Sequence, residues 1–325
     1  MNSKKRIYQI DLFRFFAALI VVLFHYFFRG HNDNSSNLNF SEIGGFFKYG
    51  YLGVNIFYII SGFVIALSIK DRSLVKFFIS RVSRLYPVYW ICVLLTYIII
   101  ISFGAPIFTA SLSQFMFNLT MFQNYMGVEN IDGVYWSLFV EIKFYIFVVG
   151  FYLFLNKIKQ IKLDYLIYFW TLLSIAYLFF NDFFILKLFN YFFILNWSSY
   201  FIAGMLFYQI FKHGMFLKYL IILLCALSIS IYYAILRIDN IEITYNTSFS
   251  PYIIGSVIIV FYVLMLLVST NKLKRINLPK FAKLGVLTYP LYLLHQRIGY
   301  IIFNNLGVYI NKYFLVISTI VFMII

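Results

Sequence analysis

The stretch IYQIDLFRFFAALIVVLFHYFF, residues 7–28, is a nearly continuous apolar run that is long enough to cross a bilayer as one helix. Arg14 and His25 interrupt this run, and their separation of eleven positions amounts to three helical turns plus about 20°, so both side chains share one face. Ionisable side chains are costly in a membrane and usually face the protein interior, where they are candidates for function. The run therefore predicts a membrane-spanning fold and its first two candidate site residues.

The composition extends this pattern to the whole chain. Of the 325 residues, 63% are hydrophobic, 23% aromatic and 11% charged, and the mean hydropathy is +0.88. Long apolar runs favour helices over the short alternating segments of a β-barrel. We predict an all-α polytopic membrane bundle that forms a single domain over residues 1–325. Cys92 and Cys225 both fall in predicted spans, so we interpret them as packing residues without a disulfide.

The apolar runs predict ten spans. They cover residues 7–28, 50–69, 86–104, 134–154, 163–180, 191–210, 217–236, 251–269, 284–303 and 308–325. The sixth span is the least regular, because its apolar run is longer than one span and is broken by polar residues such as Asn190 and Asn196.

The basic residues follow these spans in an alternating pattern. Most of the 26 Lys and Arg residues fall on the N-terminal segment and on alternate loops between the predicted spans, whereas the loop of residues 102–134 contains none. This positive-inside distribution predicts an integral protein of the cytoplasmic membrane with both termini in the cytoplasm. It also accounts for the net charge of +15 in terms of the lipid bilayer, so we predict no nucleic-acid partner. The chain ends at Ile325 inside an apolar run, which leaves a slightly truncated end open.

Polar residues on the first and fourth spans extend the set of candidates. Ser137 and Glu141 share one helix face, and helical rise places Glu141 about 10 Å deep, close to the depth of His25. A carboxylate at that depth has to be protonated, paired or exposed to a wet cavity. A purely structural ion pair is the alternative for Glu141. Asp11 is expected to pair with Arg14 across one turn, and a snorkelling interfacial position is the alternative for Arg14.

Further candidates lie on the second, third and ninth spans. The amide of Asn55 needs a partner in lipid, and the small side chain of Ser61 allows close helix approach. Arg81 and Arg84 share a helix face at the predicted cytoplasmic surface, which suits bidentate binding of phosphates, although ordinary positive-inside charge explains the spacing equally simply. His295 lies beyond the middle of the ninth span. No metal-ligand spacing, phosphate-binding loop or serine-hydrolase motif occurs, so no metal site is predicted.

Taken in order, these motifs resemble those of the acyltransferase 3 family of membrane-bound polysaccharide and peptidoglycan O-acyltransferases. The matching motifs are Arg14 with His25, Gly53-Val54 to Ser61-Gly62-Phe63, Arg81-x-x-Arg84-x-Tyr86-Pro87, Trp136-Ser137-Leu138-x-x-Glu141-x-x-Phe144-Tyr145, and Gly285 to His295. Each motif alone is weak, but the ordered set is specific and covers nearly the whole chain. Thr288 and Pro290 depart mildly from the family pattern.

The resemblance implies an enzyme of the bacterial cytoplasmic membrane that moves an acyl group, usually acetyl, from cytoplasmic acyl-CoA to a hydroxyl of a cell-surface glycan such as O-antigen, capsule or exopolysaccharide. The resemblance implies that acetyl-CoA or another acyl-CoA is the donor substrate. It implies no cofactor that stays bound to the protein. A sugar hydroxyl attacks a thioester more readily with a base that titrates near neutrality, which favours a histidine. The expected roles are His25 as base, Glu141 as its support, Arg14 as organiser of the donor, Arg81, Arg84 and Tyr86 as CoA-binding residues, and Ser61, Asn55, Ser137 and His295 as further candidates.

Two other functions fit the same residues. A transporter or flippase of a lipid-linked glycan would also need broken helices and buried charges, but no acyl-CoA. A catalytically idle accessory subunit is disfavoured, because both motif histidines, His25 and His295, are present. Whether an acyl-enzyme forms first, on His25 or on a hydroxyl such as that of Ser61, is left open.

Overall fold

The computed structural model describes residues 6–69, 74–155 and 162–324, and within these ranges it contains helices and no strands. The all-α fold class is therefore confirmed. The α-helices are α1 (Tyr8–Phe24), α2 (Gly30–Asn32), α3 (Ser41–Phe47), α4 (Gly53–Ile69), α5 (Leu74–Phe103), α6 (Leu112–Asn118), α7 (Tyr135–Leu155), α8 (Leu163–Phe180), α9 (Phe184–Phe193), α10 (Leu195–His213), α11 (Leu217–Leu236), α12 (Ile238–Tyr245), α13 (Pro251–Ser269), α14 (Phe281–Leu306) and α15 (Lys312–Ile324). A π-helical segment, His25–Arg29, continues α1, and 3-10 turns occur at Lys48–Leu52, Gln123–Met126 and Lys274–Ile276.

Seven segments of the described ranges are long and apolar enough to cross a membrane, as expected of an integral membrane protein. They are Tyr8–Asn32, Ser41–Ile69, Val75–Phe103, Tyr135–Phe154, Leu163–Phe180, Leu217–Tyr245 and Pro251–Ser269. The predicted number of about ten is not confirmed, because α15 is shorter and because α10 and α14 are long enough but more polar. Residues 198–210 of α10 are all buried, so this helix faces protein rather than lipid and can carry polar side chains.

The sixth predicted span is divided in the structure. Helix α9 ends at Phe193, Ile194 adopts a left-handed backbone conformation with φ of 48°, and α10 begins at Leu195. The Asn190 side chain accepts a hydrogen bond from the backbone N–H of Asn196 at 3.1 Å, which stabilises this corner. The polar residues that made the run irregular therefore mark the junction of two helices.

The third predicted span begins earlier than expected. Helix α5 begins at Leu74 and continues through Pro87, whereas we expected the span to start at residue 86. Proline lacks an N–H and usually breaks a helix, but membrane helices tolerate it where neighbouring groups satisfy the freed backbone. Arg81 and Arg84 consequently belong to the same continuous helix as the span.

Small residues set the closest helix contacts. A Cβ added to Gly62 of α4 would collide with the Phe201 carbonyl of α10, and one added to Gly204 would collide with the Ile59 carbonyl of α4. Such contacts between backbones are possible only where a side chain is missing. The α4–α10 pair is therefore fixed by these glycines and forms the centre of the bundle.

Helices α1 and α14 run parallel to each other. Asp11 lies against Gly285 near one end of the pair, and His25 lies against His295 further along. This pairing brings the first and the last of the sequence motifs into contact, and it places two histidines side by side.

Candidate active site

One cavity among the described residues lies between α1, α4, α5, α7 and α14 and has a volume of about 330 Å³. Its basic lining residues are Arg6, Arg14, Arg81 and Arg84. Glu141 is the one acidic residue among the described residues that line it. We call this space the basic cavity, and its excess of positive charge favours a ligand with several negative charges.

Arg14 lines the basic cavity without a hydrogen bond or ion pair to the described residues. The expected pair between Arg14 and Asp11 is not formed. The Asp11 carboxylate instead accepts a hydrogen bond from Arg6 Nε at 2.7 Å and lies against Gly285, where a Cβ would come within 2.5 Å of its oxygen. The contact between α1 and α14 turns Asp11 away from Arg14, whose donors are thereby left to a ligand.

Arg81 and Arg84 both line the basic cavity, as their shared helix face predicts. The Arg81 guanidinium donates to Ser68 Oγ, whereas the Arg84 side chain is exposed. Tyr86 is not among the described residues that line the cavity, and its hydroxyl donates to the Thr120 carbonyl oxygen at 2.9 Å. Its position does not support the expected role in ligand binding, because it lies about 200° around the helix from Arg84.

Two hydroxyl groups hold the carboxylate of Glu141. Ser61 Oγ donates to Oε1 at 2.7 Å, and the Tyr145 hydroxyl donates to the same oxygen. Oε2 accepts no hydrogen bond from the described part of the chain. Ser61 is buried behind Glu141 and is absent from the described lining of either cavity. Ser61 and Tyr145 therefore fix the orientation of the Glu141 carboxylate through Oε1, and Oε2 remains available to a ligand in the basic cavity.

The second cavity has a volume of about 270 Å³ and is rich in aromatic side chains, so we call it the aromatic cavity. Its polar and aromatic lining residues are His25, Arg29, Tyr51, Asn55, Trp136, Trp197, Arg237, Tyr245 and Tyr292, together with Phe24. The Asn55 amide donates to the Tyr200 hydroxyl at 2.9 Å, which supplies the partner that this amide needs. The described lining contains neither Asp nor Glu, in contrast to that of the basic cavity.

The hydrogen bonds of His25 define its tautomer. Nδ1 lies 2.8 Å from the Val21 carbonyl oxygen, which only accepts, so Nδ1 carries the proton. The same nitrogen lies 3.1 Å from Nε2 of His295, and Nδ1 of His295 donates to the Tyr292 carbonyl oxygen at 2.8 Å. Nε2 of His25 is therefore unprotonated, and Arg29 Nη1 approaches it at 3.4 Å. An imidazole with an unprotonated nitrogen at a cavity can take a proton from a bound hydroxyl.

The structure does not bring Glu141 to His25, although both were expected at a similar depth. Glu141 lines the basic cavity and His25 the aromatic cavity, where the imidazole contacts His295 instead. Hydrogen bonds from Tyr26 to the His295 carbonyl (2.7 Å) and from Tyr300 to the His25 carbonyl (3.2 Å) hold the two histidines together. Helical rise fixes how deep a side chain lies, but the packing of α1 on α14 decides which neighbour it meets.

Val54 and Tyr292 line both cavities and form the partition between them. The Tyr292 hydroxyl lies 2.8 Å from Ser137 Oγ, and Ser137 directs its own proton to the Val134 carbonyl at 2.9 Å. The Tyr292 hydroxyl therefore donates to Ser137. Because side chains change rotamer far faster than helices move, a partition of two side chains can open locally.

The lining residues that were not identified as candidates from the sequence include Arg6, Arg237 and Tyr292. Both arginines lie beside the ends of apolar runs, where basic residues usually mark topology, so their position carried no distinctive signal. Tyr292 lies within the Gly285 to His295 motif, but nothing in the spacing showed that it would separate two cavities. Cys92 and Cys225 are both free, in agreement with the expected absence of a disulfide framework.

The fold and the site together define a helical membrane protein in which the basic cavity adjoins the aromatic cavity, which contains His25. Residues 7–325 match the acyltransferase domain that defines the acyltransferase 3 family, and the chain belongs to this family. The resemblance carried by the ordered motifs is thereby confirmed.

Two curated relatives are similar to part of the chain. The peptidoglycan O-acetyltransferase OatA of Listeria monocytogenes is 28% identical over 181 residues, which are 50% of this chain and 26% of that protein. The acyltransferase MdmB of Streptomyces mycarofaciens is 27% identical over 161 residues, which are 46% of this chain and 40% of that protein. The similarity thus spans less than half of either relative. No solved structure matches the chain significantly.

Proposed function

We propose that this protein is a membrane-bound O-acyltransferase that moves an acyl group, in the first instance acetyl, from acyl-CoA to a hydroxyl of a cell-surface glycan. The observation that carries the proposal is the pair of cavities that meet at Val54 and Tyr292, one lined by arginines and the other by His25. Two substrates of different chemistry can approach such a partition from opposite sides. Membership of an acyltransferase family supports this assignment of the two cavities.

The basic cavity is the proposed donor site. Arg14 and Arg84 offer hydrogen-bond donors to the phosphates of acyl-CoA. One guanidinium group can bind a phosphate through two parallel N–H···O hydrogen bonds. The free Oε2 of Glu141 is suited to accept a hydrogen bond from an amide N–H of the pantetheine arm. The thioester would then reach the partition at Tyr292. In this arrangement the basic cavity faces the cytoplasm, in line with the positive-inside distribution of Lys and Arg.

The aromatic cavity is the proposed acceptor site, with His25 as the general base. Nε2 of His25 takes the proton of the acceptor hydroxyl while the hydroxyl oxygen attacks the thioester carbonyl carbon. The new C–O bond forms, the C–S bond breaks, and the thiolate of CoA leaves and takes up the proton that Nε2 received, which returns His25 to its neutral form. As Nε2 gains a proton, the Nδ1 proton is already shared with Nε2 of His295 across 3.1 Å, so positive charge can spread over both rings.

This scheme gives Glu141 and Ser61 different roles from those considered on sequence alone. Glu141 would act on the donor in the basic cavity, while His295 would support the base. Ser61 would orient Glu141 through its 2.7 Å hydrogen bond, and we do not assign it an acyl-enzyme. The transporter alternative is not favoured, because the family is one of acyltransferases.

The experiment is a transfer assay with purified protein in proteoliposomes, labelled acetyl-CoA outside and a membrane glycan extract as acceptor. The wild-type protein should move label into glycan, and the His25→Ala variant should bind acetyl-CoA but transfer label at least about 10²-fold more slowly. Movement of lipid-linked glycan across the vesicle membrane without any use of acetyl-CoA would contradict the proposal.

A further inference from the structure

Arg237 is a cation in the aromatic cavity that the proposed reaction does not use. It lies where α11 ends and α12 begins, and its guanidinium carbon is 3.4 Å from the centroid of the Trp197 ring. Nη2 donates to the Asn196 carbonyl oxygen at 3.3 Å. No carboxylate in the described part of the chain forms an ion pair with Arg237.

The other arginine of the aromatic cavity is already neutralised. Arg29 Nε binds Asp33 at 2.9 Å one helical turn away, and Arg29 Nη1 approaches His25. Because the described lining contains no acidic residue, the charge of Arg237 is not balanced within the cavity. A partly desolvated, unbalanced cation is costly, and an anionic ligand would relieve that cost.

The geometry of Arg237 fits recognition of an anion through hydrogen bonds. The indole of Trp197 covers one face of the guanidinium, which holds its plane and leaves N–H groups at the edge. A guanidinium fixed in this way binds a carboxylate or phosphate through two parallel hydrogen bonds. Lysine cannot reproduce this arrangement, because its ammonium is a single point charge.

The neighbouring tryptophans supply a surface for the rest of the ligand. The rings of Trp136 and Trp197 have centroids 5.3 Å apart and are tilted by 36°, and both line the cavity. The cavity volume of about 270 Å³ lies near the lower end of ligand pockets, so it suits a ligand of one or two rings. Flat apolar faces beside a small number of polar groups are typical of sites that fix a small ring.

We propose that the aromatic cavity selects an anionic acceptor, whose carboxylate or phosphate binds Arg237 while an adjacent hydroxyl faces His25. This rests on the proposed function, because it names the class of acceptor for the same site. The anionic group can belong to an acidic sugar or to the diphosphate that links a glycan to its lipid carrier. Both sources present the same oxygen chemistry to the guanidinium.

The test measures binding separately from transfer. Purified protein in detergent, with saturating free CoA to fill the proposed donor site and no acyl-CoA, is titrated with methyl glucuronide, with its neutral counterpart methyl glucoside, and with a short polyprenyl diphosphate. We expect at least one anionic probe to bind roughly ten- to a hundredfold more tightly than the glucoside, the range for hydrogen bonds to charged groups. Preference for the glucuronide identifies an acidic sugar, and preference for the diphosphate identifies the lipid carrier.

Arg237→Gln should abolish that preference. Lys187→Gln is the matched control, because Lys187 is an exposed cation outside the cavity, 3.8 Å from Asp182. Arg237→Lys covers the case in which Arg237→Gln does not fold, and it should retain only part of the preference. Equal binding of neutral and anionic probes by the wild-type protein, or an anion preference that is undiminished in every folded Arg237 variant, would overturn the proposal.

The two proposals fail in different ways. If the wild-type protein prefers the anionic probes but transfers no acetyl to any acceptor, the anion site stands and the proposed transfer is wrong. If the wild-type protein transfers acetyl to neutral and acidic acceptors with equal efficiency, the enzyme stands and the anionic acceptor is wrong.

Discussion

Nε2 of His295 lies 3.1 Å from Nδ1 of His25, and each Nδ1 donates to a backbone carbonyl of its own helix. In this arrangement the N–H of His25 points toward His295, and the N–H of His295 points toward the Tyr292 carbonyl oxygen. Nε2 of His25 is left as the unprotonated nitrogen. It also gives the two histidines unequal roles, because His295 is fully buried and absent from the described lining of both cavities.

The unequal roles predict unequal effects of substitution. His25→Ala should lower the transfer rate by about 10²–10⁴-fold, the typical contribution of a positioned base, and leave acetyl-CoA affinity unchanged. His295→Ala should cause a smaller loss, because it removes support from the base rather than the base. Single-turnover rates with labelled acetyl-CoA measure both. A His295→Ala variant that is dead beside an active His25→Ala variant would reverse the assignment.

The arginines of the basic cavity predict a loss of donor affinity. Arg14→Ala and Arg84→Ala should each weaken acetyl-CoA binding by about 1–3 kcal/mol, because each removes charged hydrogen bonds to phosphate. Arg81→Ala should act similarly, with an added loss of the contact to Ser68. Equilibrium binding of acetyl-CoA to the folded variants measures this, with Lys187→Gln as control. Unchanged affinity in all three would reduce these arginines to signals of topology.

The partition predicts a leak when Tyr292 is truncated. Tyr292→Ala should raise the release of free CoA in the absence of acceptor, because water from the aromatic cavity would reach the thioester. Tyr292→Phe keeps the ring and loses only the hydrogen bond to Ser137, so it should leak much less. Tyr289 lines the basic cavity alone, and Tyr289→Ala is the matched control. Equal CoA release by all four proteins would show that Tyr292 separates nothing.

The close contact of α4 and α10 predicts a strong effect of one methyl group. Gly62→Ala should lower the free energy of unfolding by about 1–3 kcal/mol, because the new Cβ collides with the Phe201 carbonyl. Gly150→Ala is the control, since a Cβ there meets nothing within 4 Å, and it should be neutral or stabilising by up to about 1 kcal/mol. Denaturant titration in micelles compares the two. Similar stability of both variants would contradict the packing.

The charge distribution predicts the orientation of the chain. Single cysteines at Asn124 and Lys274, both exposed, should be labelled by an impermeant reagent from outside and inside the cell respectively. The background should carry alanine at Cys92 and Cys225. Labelling of both positions from one side, or the reverse pattern, would end the proposed topology and the cytoplasmic assignment of the basic cavity.

Local properties of the sequence determined the fold class and the family. The length and hydropathy of each apolar run are set by neighbouring residues, so a helical membrane protein follows from them directly. Helical periodicity also placed Arg81 and Arg84 on one face and identified Arg14, His25 and Glu141 as interior residues.

Only the tertiary structure decided which of these residues meet. Periodicity gives depth and face but not the rotation of one helix against another, which depends on packing between distant segments such as Gly62 and Gly204 at the α4–α10 contact. That packing joins His25 to His295 rather than to Glu141, turns Asp11 toward Arg6, and divides the interior at Tyr292. The sequence thus determined which residues are candidates, and the helix packing decided which of them line the basic cavity, which line the aromatic cavity and which are buried away from both.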